Sequence, residues 1–328
     1  MHSPITTTST STSTSTSTST STKEYVAEST PSRRRSRALV AALALLGACG
    51  FPNHYLVHPQ DPPPQVITWS ADFGQDRLWV HIEGARPTGP GPFPTVLVHP
   101  EGGKTAPDMH GVIWDLAGRG YLALAADYRR LIDGTWRRNT FAWRSPADAT
   151  LIVDVTRAYP EADQNRIGLL GFSQGGVFSL LIAAHAPERI RAVVSYYPVT
   201  DFPHWFAMER PDPLQRWAYG VVRWYFRRES GAASDAEFDE MLHRASPYYL
   251  AESIRAPVLL VHGEKDTTAP VEESQRMADR LAASGRTVEV LVVPDGVHIF
   301  NFRQREQAAI AWDATVAWFD RYLRDGGS

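Results

Sequence analysis

The sequence predicts an α/β fold: a mostly parallel sheet of eight strands with helices on both faces and an aromatic-rich helical insertion. Short apolar runs alternate with segments of helical periodicity over most of the 328 residues, as expected for a parallel sheet covered on both sides. The first two runs have no helix between them, which predicts an antiparallel hairpin. One connection, 201–249, is far longer than usual and rich in Trp, Tyr and Phe, and predicts the insertion.

The predicted elements follow in order from residue 65. Strands are expected at 66–70, 78–83, 95–99, 122–127, 167–171, 192–196, 258–262 and 288–293. Helices are expected at 109–119, 146–159, 174–186, 271–284 and 304–324. The insertion is expected to form helices that pack over the strand ends as a cap.

The residues ahead of the predicted fold are typical of a targeting segment. The Ser/Thr alternation at 6–22 cannot bury apolar surface and is expected to be disordered. Four arginines between 33 and 37 precede an apolar run at 38–47 that is too short to span a bilayer. The order basic, apolar, small indicates a signal peptide. Residues 1–48 are therefore expected to be a disordered tract followed by a signal peptide.

Cys49, the only cysteine of the chain, follows Leu46-Gly47-Ala48, which resembles a bacterial lipobox. In that motif the cysteine is lipidated, so we expect an exported lipoprotein of the cell envelope, held at the membrane by an N-terminal lipid anchor. Two alternatives stay open: the cysteine follows an ordinary signal by coincidence, or the segment is an uncleaved anchor. Residues 49–64 then form a Pro-rich tether to a domain at 65–328.

Charge and histidine spacing exclude several kinds of partner. The formal net charge is -3 and the domain carries no basic stripe, so no nucleic-acid partner is expected. His99, His110 and His262 lack the spacing of metal ligands. We therefore predict no metal site and no cofactor.

Ser173 is the predicted nucleophile. Residues 167–171 form an apolar strand that runs into Gly171-Phe172-Ser173-Gln174-Gly175 and then a helix. This strand, G-x-S-x-G and helix order is what a nucleophile elbow requires, because a sharp turn presents the serine hydroxyl and small neighbours allow the close packing. The same turn places the Gln174 N–H at the helix start, where it can bind an oxyanion.

A serine nucleophile needs a base and an acid, and the chain offers them in the order serine, acid, histidine. The strand at 258–262 ends in a turn that carries Asp266, and His298 lies in the loop after the last strand. Glu264 is a competing acid, and Asp266 could instead cap the following helix. The second oxyanion donor is expected from the Gly-rich loop after 95–99, from Glu101 or Gly102. Trp205, Phe206 and Trp224 of the insertion are expected to line the substrate pocket.

These residues belong to a wider set of motifs: Gly120-Tyr121, 126–129 (ADYR), 165–168 (NRIG), 171–176 (GFSQGG), Ser246-Pro247 and 256–266 (APVLLVHGEKD). With them the chain resembles the catalytic domain of the prolyl oligopeptidase family and the related dienelactone hydrolase-like esterases, from about 95 to 323. The resemblance implies the α/β-hydrolase fold and the triad Ser173, Asp266 and His298. His298 is flanked by Val297 and Ile299, where the family often has glycine.

The function predicted from the sequence is a serine hydrolase that acts through an acyl-enzyme, with a small carboxylic ester or a short peptide as substrate. Ester hydrolysis is the leading interpretation. The alternatives are a prolyl oligopeptidase-like serine peptidase without the family's propeller, an acyltransferase, and, in a different class, a non-catalytic binding protein on a hydrolase fold.

Overall fold

The computed structural model describes residues 56–58, 61–75, 78–132, 135–138 and 146–324. Most of this part of the chain folds around one mostly parallel sheet. The Ser/Thr tract, the predicted signal peptide and Cys49 lie outside the described residues.

The strands of the sheet agree closely with the apolar runs of the sequence. They are β1 (Val66–Gln75), β2 (Leu78–Pro87), β3 (Phe93–His99), β4 (Leu122–Ile132), β5 (Thr135–Arg138), β6 (Ala162–Phe172), β7 (Ile190–Tyr196), β8 (Val258–Gly263) and β9 (Val288–Val293). β5 is additional to the eight predicted strands. It is only four residues long and has the sequence TWRR, which lacks the apolar pattern that marks the others.

The order of the strands across the sheet is β1-β2-β4-β3-β6-β7-β8-β9, with β5 paired to β4. β1 and β2 form the predicted antiparallel hairpin, and β2 is also antiparallel to β4. β4, β3, β6, β7, β8 and β9 are parallel to one another. The carboxyl ends of β3, β6, β7, β8 and β9 therefore meet at one edge of the sheet, where the predicted site residues follow the strands.

Helices cover both faces of the sheet. They are α1 (His110–Gly118), α2 (Pro146–Val155), α3 (Gln174–His185), α4 (Phe202–Ala207), α5 (Pro213–Ser230), α6 (Asp235–Arg244), α7 (Glu272–Ala283) and α8 (Arg305–Phe319). One face buries apolar side chains of α1 and α8, such as Leu116 and Phe319. The other buries side chains of α2, α3 and α7, such as Ile152, Leu180 and Met277. This two-sided burial explains why the parallel strands are continuous apolar runs.

The insertion at 201–249 forms α4, α5 and α6 and has a small core of its own. Phe202, Trp205 and Phe238 pack there against Val177 and Leu181 of α3. The insertion is thus attached to the helix that directly follows Ser173.

Capping residues define the limits of the insertion's helices. The Asp212 carboxylate accepts the Leu214 N–H at 2.9 Å ahead of α5, and Ser234 accepts the Glu237 N–H at 3.1 Å ahead of α6. Gly231 ends α5 in the left-handed region, with φ at 70°, where a glycine carries no steric penalty.

Residues 56–58, which the sequence assigns to the tether, contact the domain. The Leu56 N–H donates to the Asn301 carbonyl at 3.1 Å, and the ring of His58 packs edge-on against Trp312 with 4.4 Å between centroids. The chain therefore meets the domain ahead of position 65. Across the described ranges, none of the helices has the length and hydropathy needed to cross a bilayer.

Candidate active site

Ser173 lies on the sharp turn between β6 and α3. Its φ is 51° and its ψ is -112°, a conformation that L-residues rarely adopt and that often marks functional sites. The turn is fixed because the Ser173 N–H donates to the Tyr196 carbonyl at the end of β7, at 2.9 Å.

Gly171 and Gly175 are required by close packing around this turn. A Cβ on Gly171 would lie 2.0 Å from the Gly175 carbonyl oxygen, and one on Gly175 would lie 2.1 Å from the His99 carbonyl oxygen. The missing side chains let the start of α3 approach the end of β3. The loop after β3 is thereby brought beside Ser173.

We expect Gly175→Ala to destabilise the protein by about 1–3 kcal/mol, since the new methyl group overlaps backbone that cannot move away freely. Gly220→Ala in α5 is the matched control, because a Cβ there has no neighbour within 4 Å. Better helix propensity should make that variant more stable by up to about 1 kcal/mol. Urea unfolding of both variants measures the difference, and equal stability of the two would contradict the packing argument.

The structure brings the three predicted triad residues together. Ser173 Oγ is 3.2 Å from His298 Nε2, and His298 Nδ1 is 2.6 Å from Asp266 Oδ2. A carboxylate only accepts hydrogen bonds, so Nδ1 carries the proton that faces Asp266. Nε2 is then left as the acceptor for the serine hydroxyl, which is the arrangement of a general base beside a nucleophile.

Asp266 is held ionised in a buried position. Burial opposes ionisation, but His298 and His262 outweigh it and keep the pKa of Asp266 well below its usual range. Its Oδ1 also accepts the N–H groups of Thr268 and Ala269, each at 2.9 Å. These bonds fix the carboxylate, so its second oxygen points at the imidazole.

The competing acid, Glu264, lies elsewhere on the same loop. Its carboxylate is exposed and accepts the Asp295 N–H at 3.1 Å. Asp266, and not Glu264, is therefore the acid beside His298.

A pair of glycines joins the acid loop to the histidine loop. A Cβ on Gly263 would lie 2.3 Å from the Gly296 carbonyl oxygen, and that same oxygen accepts the Lys265 N–H at 2.8 Å. The loops after β8 and β9 are thus in backbone contact. This contact sets the distance between Asp266 and His298.

Ile299 is strained next to His298. Its φ is 55°, in the left-handed region that is unfavourable for a β-branched residue. The sequence shows Ile299 where the family often has glycine, and the conformation explains that preference.

The two predicted sources of oxyanion donors lie side by side. Gln174 begins α3, so its N–H has no acceptor within the helix. A Cβ on Gly102 would lie 3.3 Å from the Gln174 Oε1 atom, which places the loop after β3 against this helix start. The arrangement can stabilise a negative oxygen formed by attack of Ser173 on a carbonyl group.

The model of the prolyl oligopeptidase family matches residues 106–326, a span that includes Ser173, Asp266 and His298. The chain belongs to the prolyl oligopeptidase family. Together with the site, membership identifies a serine hydrolase of the kind that cleaves esters or peptides. The family resemblance predicted from the motifs is confirmed.

Two relatives show how far the similarity extends. A candidate carboxymethylenebutenolidase of Methylorubrum extorquens is 28% identical over 255 residues, which cover 73% of this chain and 75% of that protein. YtmA of Bacillus subtilis, an uncharacterized peptidase, is 27% identical over 217 residues, which cover 66% of this chain and 80% of that protein.

Solved structures show the same fold at lower identity. The acylaminoacyl peptidase of Pyrococcus horikoshii aligns with 79% of this chain with a TM-score of 0.63 and 19% identity, and the chain spans only 42% of that protein. An acetyl xylan esterase from Paenibacillus sp. R4 aligns with 91% of this chain and 98% of its own length, with a TM-score of 0.61 and 19% identity. The α/β-hydrolase fold expected from the sequence is therefore confirmed.

Glu101 is predicted from the sequence only as a source of a backbone N–H for the oxyanion, but its side chain is also buried in the site. The residue is 5% exposed, and its Oε2 has no hydrogen-bond partner among the described residues. Burial raises the pKa of Glu101 to about 7, against the opposing charges of His298, Lys104 and Arg303. A carboxyl group that exchanges its proton near neutrality thus lies close to His298.

We expect Glu101→Gln to stabilise the protein above pH 7. The pKa of Glu101 is about 7 in the folded protein, against an ordinary value of 4.5. The folded state therefore holds the proton more tightly than the unfolded state, and the wild type loses stability as pH rises from 4.5 to 7. At about 1.4 kcal/mol per unit of pKa, the variant should gain roughly 3 kcal/mol at pH 8 and little at pH 4. Thermal melts of both proteins at these two pH values measure the gain. A gain that is equal at both values would show that ionisation is not its cause.

The aromatic residues predicted to line a pocket have defined contacts within the insertion. Trp205 is 5% exposed, and its indole N–H donates to the Thr268 carbonyl at 2.8 Å. Phe206 is half-buried against Trp205, and Trp224 is 49% exposed on α5. Substrate contact by these three residues stays a prediction.

Two supporting groups of the site are absent from the sequence prediction. Tyr197, with φ at 37°, packs edge-on against the His298 ring at 4.9 Å between centroids. Buried His262 has its Nε2 2.6 Å from the Ala269 carbonyl and 3.6 Å from Asp266 Oδ2. Position alone could have indicated both, because each lies at the carboxyl end of a strand beside the site.

The ranges that the structure describes contain no group of three or more His, Cys, Asp or Glu side chains arranged to hold a metal ion.

Proposed function

We propose that this chain hydrolyses carboxylic esters through an acyl-enzyme. The observation that carries the proposal is the line of contacts from Ser173 Oγ through His298 to Asp266, at 3.2 and 2.6 Å. Esters are favoured over peptides by the Methylorubrum extorquens relative, whose name denotes cleavage of a cyclic ester and of which this chain covers 75%.

In the first half of the reaction, Ser173 Oγ bonds to the ester carbonyl carbon while His298 Nε2 takes the hydroxyl proton. Asp266 stabilises the imidazolium that results. The carbonyl oxygen becomes an oxyanion and binds the Gln174 N–H and a backbone N–H at Glu101 or Gly102. The C–O bond to the leaving alcohol then breaks, and His298 gives its proton to that alcohol.

The second half repeats these roles with water. His298 takes a proton from a water molecule as its oxygen bonds to the acyl carbon. When the bond to Ser173 Oγ breaks, the proton returns to that oxygen and the carboxylic acid leaves. Two easier steps thereby replace one difficult step.

A second candidate is a serine peptidase, supported by the family match and by the peptidase YtmA of Bacillus subtilis. Turnover of p-nitrophenyl esters of increasing acyl length, compared with p-nitroanilides of single residues and dipeptides, separates the two. Activated esters react faster than anilides with any serine hydrolase, so ester turnover without turnover of the anilides is the result that supports the proposal. Turnover of a dipeptide anilide that Ser173→Ala abolishes would replace it with the peptidase.

A fluorophosphonate probe tests whether the chain is catalytic at all. Covalent labelling of Ser173 is expected for a hydrolase. Absence of label on the folded protein would favour a binding protein on a hydrolase fold.

We also propose that the protein is exported and lipidated on Cys49. Support comes from the sequence alone: a basic cluster, an apolar run and the chain's single cysteine, in that order. Cys49→Ser should prevent incorporation of labelled palmitate in a bacterial host. Equal labelling of this variant and the wild type would contradict lipidation at Cys49.

A further inference from the structure

One face of α5 exposes large apolar side chains. Leu214, Trp217 and Trp224 are 51%, 47% and 49% exposed. Their separations of three and seven residues place them on one side of the helix, along about 15 Å of its axis. No other element of the described chain carries three exposed large apolar residues. These three side chains are called the α5 face below.

The orientation of α5 is fixed by its opposite side. Ala218, Tyr219 and Val222 pack into the core of the insertion. The Tyr219 hydroxyl also donates to the Thr268 carbonyl at 2.6 Å. The α5 face therefore cannot turn inward without breaking this core.

Positive charge accompanies the α5 face. The helix contains four arginines and one glutamate. The Arg228 guanidinium carbon is 5.8 Å from the centre of the Trp224 ring, and Arg216 donates to the carbonyls of Arg210 and Pro211 at 2.9 and 2.8 Å.

Two of the four arginines are neutralised and two are not. Arg223 and Arg227 pair with Asp239 and Asp235. Arg216 and Arg228 have no carboxylate partner among the described residues. The α5 face is thus an apolar strip accompanied by two arginines that form no ion pair with a described carboxylate.

We propose that the α5 face docks on a membrane surface that contains anionic lipid. Trp217 and Trp224 lie at the boundary between head groups and acyl chains, where tryptophan is favoured. Arg216 and Arg228 face the lipid phosphates. A helix with apolar residues on one side and arginines beside them binds in the plane of the membrane by these two contributions.

Charge favours a lipid surface over a second copy of this chain. A symmetric dimer through the α5 face would bring the same surface of both copies together. The arginines at positions 216 and 228 of one copy would then approach those of the other copy. Like charges across an interface are unfavourable. Anionic head groups supply the opposite charge instead.

Docking of the α5 face on a membrane requires neither ester hydrolysis nor lipidation of Cys49. A lipid on Cys49 would add a second attachment, and two attachments are what stable anchoring requires. The α5 face would hold the insertion, and the acid loop bonded to it, at the lipid surface.

Sedimentation of the full chain with vesicles tests the proposal. All proteins carry Cys49→Ser, so no acyl chain contributes, and the apolar run at 38–47 is common to all. Vesicles are either phosphatidylcholine alone or an equal mixture of phosphatidylcholine and phosphatidylglycerol. We expect Trp217→Ala with Trp224→Ala to lower the partition coefficient on the mixed vesicles by at least about tenfold.

Matched variants separate the contributions. Ile67→Ala with Ile310→Ala removes two apolar side chains that are each 41% exposed on β1 and α8, and should bind as the parent does. Arg228→Gln should weaken binding to the mixed vesicles and leave binding to phosphatidylcholine unchanged. Thermal melts establish that each variant is folded.

Two outcomes would overturn the proposal. The first is a folded double tryptophan variant that binds mixed vesicles as tightly as the parent does. The second is a parent protein that is dimeric in sedimentation velocity, with the same variant monomeric and vesicle binding unchanged, which would assign the α5 face to a second copy.

Discussion

Ser173→Ala is expected to lower kcat for ester hydrolysis by about 10⁴- to 10⁶-fold, because removal of the hydroxyl leaves only the oxyanion donors and substrate binding to accelerate attack by water. The proton acceptor, His298 Nε2, is 3.2 Å from the atom that is deleted. The serine already has φ at 51°, and alanine at this position meets the same backbone strain, so the thermal midpoint should change little. Stopped assays over long incubation, with kcat and KM fitted separately, measure the loss.

Ser70→Ala on β1 is the matched control, since Ser70 is exposed on a strand at the far edge of the sheet. It should retain wild-type kcat and fluorophosphonate labelling, whereas Ser173→Ala should lose both. If Ser173→Ala were folded and still turned over esters at a rate near wild type, the acyl-enzyme mechanism would have to be abandoned.

Asp266→Asn is expected to lower kcat by about 10⁴-fold with a smaller change in KM. The Asn Oδ1 can keep the bonds from the N–H groups of Thr268 and Ala269, which lie at 2.9 Å. Its NH₂ then faces His298 Nδ1, and two donors cannot share that bond. The imidazole must place its proton on Nε2, where it can no longer accept the proton of the serine hydroxyl.

Glu264→Gln tests the other acid of the same loop. Its side chain is exposed and accepts one backbone N–H, and a glutamine oxygen can accept the same bond. We expect wild-type kcat for this variant. A large loss for Glu264→Gln together with a small one for Asp266→Asn would reassign the acid and require a movement of the loop.

Much of the fold and the triad follows from local sequence. The buried strands are continuous Val, Leu and Ile runs because both faces of a parallel sheet are covered. Ser173 is identified by the strand, glycines and helix around it, each of which the turn requires. His298 and Asp266 follow from chain order, since loops at the carboxyl ends of parallel strands share one edge of the sheet.

Other features depend on contacts between distant segments, and sequence patterns do not encode these directly. Gly263 and Gly296 are 33 positions apart, and the need for glycine appears only when the two loops touch. In the sequence, Glu101 is only one residue of a Gly-rich loop. Its burial near His298 depends on the packing of α3 against the end of β3. Trp205 is predicted from the aromatic composition of the insertion to line the pocket, and the bond of its indole N–H to the Thr268 carbonyl, 63 positions away, is not visible in that pattern.

That bond constrains how substrate preference can be altered in this chain. The Thr268 carbonyl accepts both the Trp205 N–H and the Tyr219 hydroxyl, at 2.8 and 2.6 Å, and the Thr268 N–H is bonded to Asp266. A graft that exchanges residues 201–249 for the equivalent segment of another hydrolase would also remove two supports of Asp266, the proposed catalytic acid. Grafts that retain Trp205 and Tyr219 should keep turnover while selectivity changes, so the residues between and beyond these two offer the safer targets for engineering.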